Sequence, residues 1–206
     1  MRAAIAAIGI PLLLVTACGP TTDRATPVST PPTGDRAEAS TDTAIPTTTT
    51  APFVVTVPAV GSDGNLPVAF TCDGAGLAPP VRWSGTPPGT VALAVVMHHV
   101  AGPSDVHWYW VVYDIDPSVD HLDGGGVTPP GSVGTNSVDR KVGYRPPCSQ
   151  GPGRKEYTVT VSALARRTGL TDPTRVDRPT LLGAIDGAVV AEATTTFSVT
   201  RGGSAR

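Results

Sequence analysis

The sequence lacks an excess of positive charge. Its 206 residues carry 15 lysines and arginines against 17 aspartates and glutamates, which gives a formal net charge of -2. Binding to nucleic acid or to an acidic membrane surface through bulk charge requires a basic excess, so the composition disfavours both. We therefore predict no nucleic acid partner.

Several catalytic signatures are also missing. The chain contains no G-x-S-x-G nucleophile elbow, and the three glycines at 124–126 belong to neither a Walker loop nor a dinucleotide-binding loop. Ser104, Asp105 and His107 lie close together in sequence, but closeness in sequence does not create the geometry of a triad. We predict a protein that is not an enzyme, with no catalytic residues and no cofactor.

Long apolar runs are absent beyond the N-terminus. There, Arg2 precedes an uncharged run over residues 3–17, which is shorter than the roughly 20 residues of a membrane-spanning helix. The run ends in Val-Thr-Ala-Cys at 15–18, which resembles the lipobox of bacterial lipoproteins. This resemblance implies a signal peptide over 1–17, acylation of Cys18, and anchoring to the extracytoplasmic face of the cell membrane. An ordinary secretory signal with an incidental cysteine is the alternative.

Cysteine is scarce, with three residues in the chain. If Cys18 is acylated, Cys72 and Cys148 remain as an even pair in an oxidising compartment, where a disulfide is the expected state. Two buried free thiols are the alternative.

The segment 18–52 has few apolar side chains. Between residues 19 and 52 it holds 11 threonines, 6 prolines and 2 serines, with Val28 and Ile45 as the only larger aliphatic residues. Such a segment buries too little apolar surface to offset its ordering entropy. We predict a disordered Thr/Pro-rich tether over 18–52, which begins at the lipidated cysteine, and a folded domain over 53–206.

Residues 53–206 contain short β-branched runs separated by Gly, Pro, Asn and Asp. The runs are FVVTV, VALAVVM, YWVVYDI, EYTVTVSAL and TTTFSVT. This pattern predicts one mostly-β domain. One helix is predicted over 178–187, because Pro179 is typical of a helix start and Gly187 of a helix end. Gly183 has low helix propensity and counts against this prediction.

Several segments occur together in a recognisable order. They are FTCDGAGLAPPVRWSGTPPGT at 70–90, VALAVVMHHVAGP at 91–103, YWVVYDIDPSV at 109–119, GTNSV at 134–138 and GYRPPC at 143–148. In order and spacing the chain resembles the phosphatidylethanolamine-binding protein family, specifically its bacterial Raf kinase inhibitor-like branch. The resemblance implies an antiparallel β-sandwich with one or two short helices and a small surface pocket that binds anions such as phosphorylated head groups.

The residues that line the family's pocket are largely replaced in this chain. The two aspartates of the family's Asp-Pro-Asp-x-Pro loop align with His99 and Ala101, and the histidine of its His-Trp pair aligns with Tyr109. The Gly-Pro-x-Pro-Pro loop retains Pro147, and the family's His-Arg-Tyr triplet aligns with residues 155–157. The resemblance therefore implies a retained scaffold with a new polar lining.

The candidate ligand-binding residues follow from that alignment. They are His99, Tyr109, Pro147, Lys155 and Tyr157. Together they offer hydrogen-bond donors and one cation without the family's carboxylates. Arg145 and Arg154, near Lys155 in sequence, would add positive charge.

The neighbouring histidines 98 and 99 suggest a metal site at first sight. If both continue one strand, their side chains point to opposite faces, so they cannot bind one ion together. His99 with Asp105 and His107 across the turn remains an alternative, and we predict no metal. The predicted function is a non-catalytic module that binds a small anionic or polar ligand. A protein-interaction or inhibitor module with a vestigial pocket is the alternative, in which case an unidentified protein would be the partner.

Overall fold

The computed structural model describes residues 51–148 and 150–201, all of which belong to one compact unit, Thr47–Arg206. The predicted signal peptide, Cys18, nearly all of the predicted tether, and Ser149 lie outside the described residues. Within the described ranges, no helix is long and apolar enough to cross a membrane.

The described part of the chain is mostly β-structure. It forms eight strands, one α-helix and two short 3-10 helices. The strands are β1 (Val54–Thr56), β2 (Val81–Ser84), β3 (Ala92–Gly102), β4 (Asp105–Ile115), β5 (His121–Leu122), β6 (Ser132–Val133), β7 (Gly153–Leu164) and β8 (Val189–Arg201). The helix is α1 (Arg178–Ile185), and the 3-10 helices are Val68–Phe70 and Pro173–Arg175.

The strands form two antiparallel sheets. The large sheet has the order β6-β4-β3-β7-β8, and the small sheet has the order β1-β2-β5. The predicted antiparallel β-sandwich is confirmed.

Each face of the large sheet packs against a different layer. Its inner face, which includes Met97, Tyr157 and Val159, shares one apolar core with Val81 and Trp83 of the small sheet. Its opposite face, called here the helix face, forms a second core with the helix α1. The helix-face core contains Ala92, Ala94, Val96, Val111, Tyr113, Leu164, Val176, Leu181 and Ile185. Burial of each large apolar side chain contributes about 1.5–3 kcal/mol, so the two cores fix the large sheet from both sides.

Strand β4 departs from simple alternation. Regular alternation predicts that Tyr109 shares a face with Val111 and Tyr113, and this expectation is wrong. Tyr109 belongs to the inner core, as does Trp110, whereas Val111 and Tyr113 belong to the helix-face core. The cause is a β-bulge, because the pairing of β3 with β4 shifts register between Met97 and His98. The bulge turns Tyr109 toward the interior of the sandwich.

The predicted helix is confirmed. α1 begins after Asp177, whose carboxylate Oδ1 accepts a hydrogen bond from the Thr180 amide at 2.8 Å and so caps the helix. Pro179 lies in the first turn, and Gly187 follows the helix with a φ of 66°. The short strand β2 was not predicted, because its four residues are too few for a periodic signal.

Candidate ligand-binding site

The hairpin of β3 and β4 builds one wall of the candidate site. Gly102 pairs with Asp105 across a loop of two residues, Pro103 and Ser104. Two pairs further from the turn, His99 lies directly opposite His107. Cross-strand partners point to the same face, so both imidazoles lie on the inner side of the sheet at its open end.

A cavity of about 480 Å³ opens at this end of the sandwich. It is lined by His99, Ala101, Asp105, His107, Tyr109, Ser137, Val138, Cys148, Gln150 and Lys155. Its volume lies within the range of roughly 300–1,000 Å³ that is usual for small-molecule sites. We call this cavity the hairpin cavity.

The ring of His99 is held in a defined orientation. Its Nδ1 lies 2.6 Å from the backbone carbonyl oxygen of Glu156, and its ring centroid lies 5.2 Å from that of Tyr157. A carbonyl oxygen only accepts hydrogen bonds, so Nδ1 is the protonated nitrogen. This arrangement leaves Nε2 as the His99 nitrogen that is available to a ligand.

Aromatic side chains form the floor behind His99. Tyr157 is fully buried and stacks on Phe197 at a centroid distance of 5.7 Å, while Tyr109 meets Tyr157 edge-on at 5.2 Å. Burial, followed by the effect of Tyr157, raises the pKa of the Tyr109 phenol above its usual value. Tyr109 therefore keeps its proton and remains a hydrogen-bond donor at neutral pH.

The charged groups of the hairpin cavity come from two strands. Lys155 lies near the start of β7, on the same face of the strand as the buried Tyr157 and Val159. Its ammonium group contributes a positive charge to the cavity lining. Asp105 contributes a carboxylate from β4, and its Oδ1 lies 2.9 Å from the Nε2 of His107. The carboxylate has a partner inside the cavity, while Lys155 has no ion-pair partner among the described residues.

A disulfide ties the rim of the cavity to the segment around Cys72. Cys72 and Cys148 are bonded, with their Cα atoms 5.3 Å apart, which confirms the predicted pair. The Cys72 amide also donates to the Pro147 carbonyl oxygen at 3.1 Å. Next to this link, Asp73 pairs with Arg201, and that hydrogen bond lowers the pKa of Asp73. The segment that carries Cys148 into the cavity wall is therefore firmly attached.

The structure brings three of the five predicted ligand residues together at the hairpin cavity, namely His99, Tyr109 and Lys155. Pro147 and Tyr157 do not line it. Pro147 is buried behind the rim, and Tyr157 lies beneath the surface residues. The role of all five in binding stays a prediction.

Several lining residues were not among the ligand-binding residues predicted from the sequence. Asp105 returns a carboxylate to a pocket from which the alignment had removed both, because the hairpin turn folds β4 back beside His99. Ser137 and Gln150 reach the cavity from loops, for which the sequence carries no periodic signal. The sequence had indicated Asp105 and His107 across the turn from His99, but only as alternative metal ligands.

The basic residues near Lys155 in sequence do not join it in the cavity. Arg145 pairs with Asp139, and the Nε of Arg154 donates to the Ser198 hydroxyl at 2.7 Å. Among the described residues that line the hairpin cavity, Lys155 is thus the only lysine or arginine.

The adjacent histidines face opposite sides of the large sheet, as the alternation of strand residues predicts. His99 lines the hairpin cavity, whereas His98 lines a small cavity of about 140 Å³ between the helix face and α1. Across residues 51–148 and 150–201, no three His, Cys, Asp or Glu side chains are grouped in a way that could hold a metal ion.

Comparison with known proteins agrees with this architecture. The family model described as "Phosphatidylethanolamine-binding protein" matches residues 56–200. The crystal structure of the Chlamydia trachomatis homologue CT736 superposes with a TM-score of 0.65 at 25% identity, covering 73% of this chain and 98% of that one. The Escherichia coli protein YbcL gives the same TM-score at 23% identity, covering 74% of this chain and all of that one, and supports the fold alone.

Sequence relatives extend the comparison. A protein of Methanothermobacter thermautotrophicus named "UPF0098 protein" is 32% identical over 134 residues, which cover 63% of this chain and 87% of the relative. A Mycobacterium tuberculosis protein named "Putative lipoprotein LppC" is 30% identical over 124 residues, which cover 60% of this chain and 61% of the relative. This second name suggests an association with the cell envelope. Because the family model covers most of the described domain, the chain belongs to the phosphatidylethanolamine-binding protein family.

Proposed function

We propose that this protein is a non-catalytic binding module whose hairpin cavity takes a small anionic or polar ligand. The observation that carries the proposal is the convergence of His99, Tyr109 and Lys155 on one cavity of small-molecule size. A phenol that keeps its proton and an ammonium group both donate to anionic oxygen atoms. The fixed ring of His99 presents Nε2, an acceptor when Nδ1 carries the proton, to a donor group of the ligand with little loss of side-chain entropy on binding.

Asp105 shapes the choice of ligand. A free carboxylate would repel an anion, but Asp105 is engaged by His107 at 2.9 Å, which lessens that repulsion. The paired carboxylate also gives the cavity an acceptor in addition to Nε2 of His99. A ligand that carries both an anionic oxygen and a small donor group matches this lining better than a bare hydrophobic ligand.

The arrangement of the hairpin loop does not match a serine triad. A serine nucleophile needs a hydrogen bond from its hydroxyl to a general base. His107 contacts Asp105, but Ser104 makes no hydrogen bond to His107 among the described residues. The loop therefore holds an acid and a base without an activated nucleophile.

We further propose that acylated Cys18 anchors the domain at the outer face of the cell membrane. The proposal is supported by the Val-Thr-Ala-Cys sequence at 15–18 and by the name of the Mycobacterium tuberculosis relative. Labelling with a fatty acid analogue should be lost in Cys18→Ala. Labelling that persists in this variant would contradict the anchor.

Calorimetric titration with inorganic phosphate tests the cavity, in the full chain carrying Arg175→Ala so that the neighbouring cavity lined by Arg175 contributes little to the signal. Saturable binding should weaken at least about tenfold in Lys155→Ala, because a charge-assisted hydrogen bond is lost. Lys141→Ala is the matched control, since Lys141 is exposed and lines neither this cavity nor its neighbour. Equal affinity with and without Lys155→Ala, or no saturable binding, would contradict the proposal. Absence of binding together with capture of a protein partner would favour the interaction module.

A further inference from the structure

A second cavity, of about 490 Å³, lies on the other side of Ser137 from the hairpin cavity. Two guanidinium groups, those of Arg140 and Arg175, line it together with the half-buried indole of Trp108. The two cavities share Ser137 and no other lining residue. We call this second site the arginine cavity.

Most of the uncharged polar groups of the arginine cavity are already used by the fold. The Ser137 hydroxyl bonds the backbone of Trp108, and the Asn136 amide donates to Asp139 and to the Lys141 carbonyl. The Thr174 hydroxyl donates to Asp172 at 2.6 Å. These groups hold the walls in place and have little capacity left for a ligand.

The two arginines differ from these neutral groups. The guanidinium groups of Arg140 and Arg175 make no hydrogen bond or ion pair to any described residue, so their N–H donors face the cavity or solvent. One carboxylate, Asp177, also lines the cavity, but its Oδ1 caps the helix α1 through the Thr180 amide. Asp172 lies near Arg175: hydrogen bonds from Thr174, and then the charge of Arg175, lower the pKa of Asp172. Its Oδ1 accepts a hydrogen bond from the Thr174 hydroxyl. The lining as a whole therefore carries a net positive charge.

Arg140 occupies a backbone conformation that costs free energy. Its φ is 59°, in the left-handed region where glycine is the unstrained choice. Strain of this kind recurs at functional sites, where the side chain supplies something that glycine cannot. Here the side chain supplies a guanidinium at the edge of a cavity.

Trp108 gives the arginine cavity an apolar surface beside the two arginines. Its indole N–H is committed to the Thr135 carbonyl oxygen at 2.9 Å, so the ring can offer a ligand only its carbon surface. Aromatic surfaces of this kind pack against the apolar faces of small rings. An arginine guanidinium can bind a phosphate or carboxylate group through two parallel N–H donors.

From these observations we propose that the arginine cavity is a second binding site, which takes an oxyanion, phosphate or carboxylate, carried on a small ring such as a sugar. Arg140 and Arg175 bind the oxyanion, and Trp108 packs against the ring. The site is separate from the hairpin cavity and does not depend on ligand binding there.

Backbone amide NMR shifts of the full chain, titrated with glucose 6-phosphate, test this proposal. The amides of residues 139–141 and 174–177, which lie outside the hairpin cavity, should shift saturably, and inorganic phosphate should bind more weakly because it lacks the ring. Glucuronate distinguishes a preference for carboxylate from one for phosphate. Neutral glucose should not bind measurably, and binding of glucose as tight as that of glucose 6-phosphate would overturn the proposal.

Two variants and two controls sharpen the test. Arg140→Gly and Arg175→Ala should each weaken binding of glucose 6-phosphate at least about tenfold, through loss of charge-assisted hydrogen bonds. Arg140→Gly should also raise Tm, because glycine relieves the strain at this φ, so lost binding in that variant cannot be ascribed to unfolding. Arg82→Ala, on the small sheet, and Lys155→Ala, in the hairpin cavity, should leave the affinity unchanged. Unchanged affinity in both arginine variants, or the absence of shifts at 139–141 and 174–177, would overturn the proposal.

Discussion

Two neighbouring histidines show how strongly the chemistry of a residue depends on the face of the strand it occupies. His99 has its Nδ1 bonded to a carbonyl oxygen and lines an open cavity. The Nδ1 of His98 is buried on the helix face and has no hydrogen-bond partner among the described residues. Burial lowers the pKa of His98 below 6.5, and the charges of Arg178 and His99 lower it further.

The lowered pKa of His98 predicts a dependence of stability on pH. The unfolded chain, with the ordinary pKa of 6.5, binds more protons than the folded chain at pH values just below 6.5. The free energy of unfolding should therefore fall as the pH drops below about 6.5. Urea unfolding from about pH 7.5 to pH 5 should show a steeper decline for the unchanged chain than for His98→Gln. Identical slopes would show that His98 is not the cause.

At the same scale, the sequence indicates the directions of His98 and His99 but not that of Tyr109. The two-residue period of a strand separates neighbouring side chains, and both histidines obey it. Tyr109 departs from this period because of a bulge, which arises from the register between β3 and β4. Register is a property of two strands together, so the pattern of one strand does not contain it.

At the scale of elements, long strands and the helix could be predicted because they carry a repeated signal. The strands β3, β4, β7 and β8 are each at least 11 residues long, and all four contain runs of β-branched residues. Strands β5 and β6 have two residues each and were not predicted. Their pairing depends on the elements against which they pack, so their own residues give no local signal.

The helix α1 offers a direct prediction about stability. Gly183 lies in its interior, and a Cβ added there would meet no atom within 4 Å. Gly183→Ala should therefore raise the free energy of unfolding by about 0.5–1 kcal/mol through helix propensity. Gly187→Ala is the matched control and should lower the free energy of unfolding, because its φ of 66° disfavours a side chain. Urea denaturation measures both, and destabilisation by Gly183→Ala would contradict the assigned packing of this helix.

At the scale of the whole molecule, the disulfide joins the segment around Cys72 to the cavity wall at Cys148. It closes a separation of 76 residues, and the chain-entropy model assigns about 4 kcal/mol to a loop of this length. Reduction should lower the free energy of unfolding by about 2–5 kcal/mol in urea denaturation. A Cys72→Ala/Cys148→Ala double variant should not respond to the reductant. An unchanged midpoint after reduction of the bond, verified by thiol titration, would contradict this role.

The pairing of Cys72 with Cys148 was predicted from the cysteine count together with the acylation of Cys18 that the lipobox resemblance implies, with two free thiols as the alternative. The composition of the hairpin cavity could be predicted only in part. The alignment placed His99, Tyr109 and Lys155, but Asp105 and Gln150 enter through the hairpin turn and a loop. The polar character of the site is therefore a property of the folded molecule as a whole.

The central claim is that the hairpin cavity binds a small anion, and site-resolved NMR titration tests it most directly. On addition of inorganic phosphate to the full chain, the amides of His99, Tyr109 and Glu156 should shift saturably. The shifts should require a higher phosphate concentration in Lys155→Ala and remain unchanged in Lys141→Ala. If phosphate leaves the His99, Tyr109 and Glu156 amides unperturbed, the claim is contradicted.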